Sequence, residues 1–155
     1  MANGPIRALR VTPGGAINEV LLPSGSEGQL GVMREQIGCS MVEPVGLGPD
    51  LMMWCDEEGF LAAEPKLNLC ATGIGASHGR VEQAYVRTTV FTGAAAGGVE
   101  LDGLTEAQVE ELRRECAHVI RLAVMYRLSR PGCTAVDEVR LVQGACVTDT
   151  GIGAR

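Results

Sequence analysis

The spacing of apolar and polar residues changes period several times along the chain. Ile6 to Val11 reads as a strand, Pro13-Gly14-Gly15 supplies turn chemistry, and Ile17 to Leu22 is the partner strand of an N-terminal hairpin. From Ser26 the period lengthens to that of a helix. Leu30, Met33 and Ile37 share one face, Ser26 and Gln29 stand in capping-box positions, and Gly38 is the stop. Met41 to Val45 and Leu51 to Cys55 predict short strands, Asp56-Glu57-Glu58-Gly59 a turn, and Phe60 to Ala62 a return along the same sheet. Between Cys70 and Gly79 the glycines at 73, 75 and 79 leave a frayed helix and a loop both open, and a mobile surface loop is favoured. Tyr85 to Thr92 is the strongest strand pattern.

The clearest element follows. Thr105 and Gln108 form a capping box, Leu104 is placed to staple onto Val109, and Val109, Leu112, Cys116, Val119, Ala123 and Tyr126 mark one apolar face. Arg113, Arg114, Arg121 and Arg127 lie largely off that stripe, Pro131-Gly132 ends the helix, and Val136 to Val142 resembles a last strand. The expected fold is α+β, a small, mainly antiparallel sheet packed by two helices, one of them long and near residues 105–128. Residues 1–155 read as a single domain, with a helix-strand extension over 99–148 and no internal repeat or linker.

Composition narrows the function classes. No apolar run approaches the roughly 18–20 residues of a membrane helix, and the segment Met1-Ala2-Asn3-Gly4-Pro5 lacks the layout of a signal peptide, so a cytoplasmic protein with no membrane role is expected. A net charge of −6 opposes direct nucleic-acid binding by phosphate neutralisation. Acidic and basic residues are interspersed, which is too even for mimicry of a nucleic acid to follow from charge alone. Cys39, Cys55, Cys70, Cys116, Cys133 and Cys146 form no Cys-x-x-Cys pair and read as small buried hydrophobes with free thiols.

Several fragments hint at chemistry. Asp50, Glu64 and Lys66 fit a loose nuclease pattern in which two carboxylates share a magnesium ion and a lysine holds water. Pro65, between the last two, is ill suited to the sheet strand such a site uses. Gly73-Ile74-Gly75-Ala76-Ser77-His78-Gly79 has one glycine out of register for a dinucleotide loop. Cys116 and His118 sit two apart on a helix and point away from each other, which defeats a zinc pair. Ser77 and His78, together in a glycine-rich stretch, and the acidic turn at Asp56 and Glu57 are the better candidates for ligand contact.

The middle of the chain is more specific. Ile37-Gly38-Cys39, Met53-Trp54-Cys55-Asp56-Glu57-Glu58, Pro65, Asn68-Leu69-Cys70-Ala71-Thr72, Gln83-Ala84-Tyr85 and Val90-Phe91-Thr92-Gly93 resemble successive blocks of the domain of unknown function 3846 family, across residues 5–95. The resemblance implies a small cytoplasmic protein of bacteriophages, plasmids or actinobacterial genomes, and it carries no catalytic residue. Family members have glycine near the position of Arg87, a departure that bears on the local turn geometry.

The leading expectation is therefore a non-enzymatic accessory protein of a phage or mobile element, binding a host protein or small-molecule ligand. The candidate ligand-binding residues are Trp54, Asp56, Glu57, Asn68, Ser77, His78 and Tyr85, with no catalytic residue, metal or cofactor assigned. The alternatives are a metal-dependent hydrolase or nuclease using Asp50, Glu64 and Lys66, and a structural module that forms a homodimer or higher oligomer through the long helix.

Overall fold

The computed structural model describes residues 4–61, 65–95 and 101–149. Strands β1 (Ile6–Val11) and β2 (Ile17–Leu22) form the hairpin, helix α1 (Ser26–Ile37) follows, and β3 (Val42–Gly46) and β4 (Leu51–Asp56) form a second hairpin. A 3-10 turn (Gly59–Leu61) leads toward α2 (Leu69–Ser77), β5 (Thr89–Ala94) and the short β6 (Leu101–Asp102). Two helices, α3 (Glu106–Ser129) and α4 (Ala135–Asp149), close the described chain. All strand pairings are antiparallel in the order β2-β1-β5-β4-β3, with β6 on the far end of β5. The fold is α+β, as the pattern predicts.

Strand alternation sends side chains to two different layers. Leu9, Val11, Met53, Cys55 and Phe91 join α2, α3 and α4 in the larger core, while Ala8, Leu22, Trp54 and Val90 pack with α1 on the opposite face. Among the described residues four α-helices thus stand where two are expected.

Several local readings change. Residues 136–142 are helical: the Thr134 and Asp137 side chains each accept a hydrogen bond from the other's backbone N–H, at 3.2 and 2.9 Å, and start α4. The β-branched valines favour a strand only in isolation, and burial of Val142 and Cys146 decides the matter. Residues Cys70 to Ser77 form a buried helix. A Cβ on Gly73 would meet Val119 at 2.5 Å and Val142 at 3.0 Å, and one on Gly75 would meet the Tyr85 ring at 2.8 Å. These glycines serve close packing, at the expense of helix propensity. Ser26 lies inside α1, whose N-cap is Gly25 with no side-chain cap, and Gln29 is buried instead of capping.

Phe60 and Leu61 lie in the 3-10 turn and do not return along the sheet, while Ala62 falls outside the described residues. The strand expected from Tyr85 begins at Thr89, with Val86 paired singly to Leu67. The long helix matches its reading closely. Thr105 and Gln108 complete the capping box, and Val109, Leu112, Cys116, Val119 and Ala123 are its buried face. Among the described residues, no helix is long and apolar enough to cross a membrane.

Candidate functional site

The larger cleft, about 660 Å³, opens where α1 ends beside the last residues of β4. Gly38 terminates α1 in the left-handed conformation, and Cys39, Ser40 and Met41 form one wall. The opposite wall is built around Arg87. Its φ of 64° makes it the one non-glycine residue in the left-handed region among the described residues. Such a conformation costs an L-residue about 1–2 kcal/mol and needs surroundings that enforce it.

They do. The Arg87 backbone N–H donates to Lys66 O at 2.7 Å, and its carbonyl accepts from Asn68 Nδ2 at 2.9 Å. Its guanidinium donates to Asp56 Oδ2 at 2.5 Å and to Gly38 O at 2.9 Å. The Asp56 side chain is only 5% exposed, and its second oxygen accepts from Glu58 N at 2.9 Å. One arginine therefore ties the end of α1, the end of β4 and the segment before β5 together. Burial, followed by the charge of Asp56, pushes the Cys39 thiol up, so at neutral pH this cleft presents a thiol and not a thiolate. Met41 and Leu61, both exposed, also line this cleft.

A smaller groove, about 330 Å³, lies on the other side of the sheet between the end of α2 and α3. Ser77 Oγ lies 2.8 Å from both Ile74 O and Glu115 Oε1, and 3.1 Å from His78 Nδ1. His78 Nδ1 is itself 2.9 Å from Ile74 O. A carbonyl oxygen accepts only, so Nδ1 carries the hydrogen. His78 is then a donor on that side and cannot take a proton from Ser77. The pair is no nucleophile and base. Burial raises the pKa of Glu115, opposed by the hydrogen bond from Ser77.

The seven candidate residues disperse. Asp56 is in the Arg87 cleft, Glu57 is exposed on the adjoining turn, and Asn68 braces that cleft from behind. Asn68 is fully buried: its Oδ1 accepts from Ala71 N at 3.0 Å as the cap of α2, and its Nδ2 also donates to Val11 O at 3.1 Å. Its side chain is committed to the fold. Trp54 is half-buried against α1, its Nε1 donating to Thr92 Oγ1 at 3.0 Å. Tyr85 is buried against Gly75. Ser77 and His78 belong to the groove.

Of the nuclease pattern, Asp50 and Lys66 are not brought together. Asp50 precedes β4, whereas Lys66 bonds Arg87 near the strand's other end, and six strand residues span about 20 Å. Glu64 lies outside the described residues. Among the described residues no group of three His, Cys, Asp or Glu is placed to hold a metal ion. Burial pushes the Cys55 thiol up to about 12, consistent with cysteines used as packing groups.

Residues 6–117 match the domain of unknown function 3846. The chain belongs to that family. The matched segment runs beyond the blocks at 5–95 into the first half of α3, and it contains every residue of the Arg87 cleft. No curated protein and no solved structure matches the chain.

The signal missed in the sequence is a second stripe on α3. Glu111, Arg114, Glu115, His118 and Arg121 recur at helical spacing beside the apolar face, and all five line the groove.

Proposed function

We propose that this protein is a non-enzymatic, cytoplasmic accessory protein of a phage or mobile element, and that it binds a partner in the Arg87 cleft. The observation that carries this reading is a strained arginine, fixed by four hydrogen bonds, at the wall of a cleft of about 660 Å³ in the family-matched segment. Backbone strain of this kind gathers at binding and switching sites. The exposed apolar side chains of Met41 and Leu61 at the cleft favour a host protein surface as the occupant over a small ligand.

The test uses side chains that the fold does not need. Leu61 is 79% exposed, so Leu61→Asp leaves stability within about 0.5 kcal/mol. Tagged wild-type protein is expected to retain a defined host protein or metabolite from a lysate, identified by mass spectrometry, and Leu61→Asp to lose it by at least tenfold in calorimetry with the purified partner. Equal binding by both chains refutes the reading. So does turnover of nucleotides, nucleic acid or peptides by the wild type.

A self-association reading draws on one separate observation. Val124, Met125 and Leu128 of α3 and Val136 of α4 are exposed apolar side chains, and none of them lines either cavity. Sedimentation at increasing concentration tests it, and a chain that stays monomeric removes it.

A further inference from the structure

A sheet that does not close on itself ends in two edge strands, and each turns unpaired N–H and C=O groups outward. Here the outer strands are β3 and β2. The two edges are built differently.

At β3, the Leu47 N–H donates to Leu51 O at 3.0 Å and the Glu57 N–H to Met41 O at 3.1 Å. The odd-numbered residues of the hairpin therefore face β4, and Val42, Pro44 and Gly46 face outward. Proline has no N–H to offer a newcomer, and Gly46 O already accepts from Arg80 Nε at 3.1 Å. That edge is closed.

At β2, the Thr12 N–H donates to Ala16 O at 3.0 Å, and the unbroken register with β1 turns the even-numbered residues inward. Ile17, Glu19 and Leu21 thus turn three N–H and three C=O groups outward, and these make no hydrogen bond among the described residues. The strand has six residues and no proline, lysine or arginine, and Leu21 is 66% exposed. That edge is open.

The side chains of Ile17, Glu19 and Leu21 share one face of the strand, with the acid in the middle. Arg7 Nη1 lies 2.8 Å from Glu106 and 3.5 Å from Glu19, so two carboxylates divide one guanidinium. The half-exposed Glu19 can therefore accept a second cation. Full antiparallel overlap of two copies of β2 would set Glu19 opposite its own copy, and like charges directly opposite are unfavourable. The edge admits a strand and disfavours a second copy of itself.

We propose that β2 takes up an extended segment of another protein by strand addition. The segment carries a lysine or arginine across from Glu19, and apolar residues two positions to either side, across from Ile17 and Leu21. Backbone pairing supplies affinity, and the alternate side chains supply choice. No residue of β2 lines the Arg87 cleft, so this surface is separate from the proposed binding cleft.

The test titrates the full chain with a blocked heptapeptide, Thr-Val-Thr-Lys-Thr-Val-Thr, and with the same peptide carrying glutamate for lysine. The lysine peptide is expected to bind roughly tenfold more tightly, the size of exchanging a like-charge pair for an opposite-charge one. On binding, hydrogen exchange should slow at the N–H groups of Ile17, Glu19 and Leu21 and change little at Asn18 and Val20, which already face β1. Contact through side chains alone would not give that alternation. Glu19→Lys should reverse the preference between the peptides. Leu21→Pro copies the device of the other edge at an N–H that the β1 ladder does not use, and should weaken the lysine peptide roughly tenfold.

No binding of the lysine peptide, equal binding of the two peptides, an unreversed preference in Glu19→Lys, or protection gained away from β2 overturns the proposal. So does a wild-type dimer in sedimentation that Leu21→Pro dissolves, because the occupant of the edge is then a second copy.

Discussion

The two faces of the sheet are closed by opposite means. On the three-helix face the fit is steric: Gly73 and Gly75 let α2 approach its neighbours so closely that an added Cβ would sit 2.5 Å from Val119 or 2.8 Å from Tyr85. On the α1 face one helix is fastened by polar links. These include Arg10 Nε to Gln36 O at 3.2 Å and the Asp56, Arg87 and Gly38 cluster. Close packing admits little variation, because the atoms already occupy the space. Polar fasteners leave room between them, and the larger cleft is found on that side.

The largest effect is expected where space is shortest. Gly73→Ala should cost about 2–3 kcal/mol by overpacking, although alanine is the better helix former by about 1 kcal/mol. Val119→Ala in the same chain should restore part of that loss, because it removes the methyl group in conflict. Urea denaturation of the single and double variants measures the coupling, and strictly additive effects would break the steric account of this face.

The polar face should yield less. Asp56→Ala removes the buried partner of a guanidinium whose side chain is one-third exposed, and about 2 kcal/mol is expected after allowing for solvent at that arginine. Hydrogen exchange should show the loss as faster opening at the end of α1 and before β5, with α2 unaffected. Protection lost evenly across both faces would erase the distinction.

The smallest effect isolates backbone strain. Arg87→Ala and Arg87→Gly lose the same ion pair, but only alanine keeps a Cβ in the left-handed region. The glycine variant should be the more stable of the two by about 1 kcal/mol. Equal stabilities would mean that the conformation carries no strain.

Much of this was legible in the chain. The hairpin, the capped long helix and the antiparallel strands around Trp54 and Phe91 follow from spacing, because each buries one face only. The buried helix α2 was not, since a segment surrounded on all sides has no polar face to set a period, and its glycines imitate a loop. Residues 136–142 misled because local β preference and helical burial conflict there, although Thr134 and Asp137 carry the start signal in plain view. For the sites, Asp56, Ser77 and His78 were recognisable as polar residues near turns. Their partners were not: Arg87 and Glu115 lie 31 and 38 residues away and meet them only through the fold.

The close seat of α2 has a consequence for where this fold begins and ends. The atoms that fill the space around Gly73 belong to Val119, Val142 and Cys146, all beyond residue 117, where the family match stops. A boundary drawn from sequence similarity therefore cuts through a cooperative unit. Chain trimmed at that boundary would leave an apolar wall bare, and the family portion of this protein is finished only by a segment the family does not define.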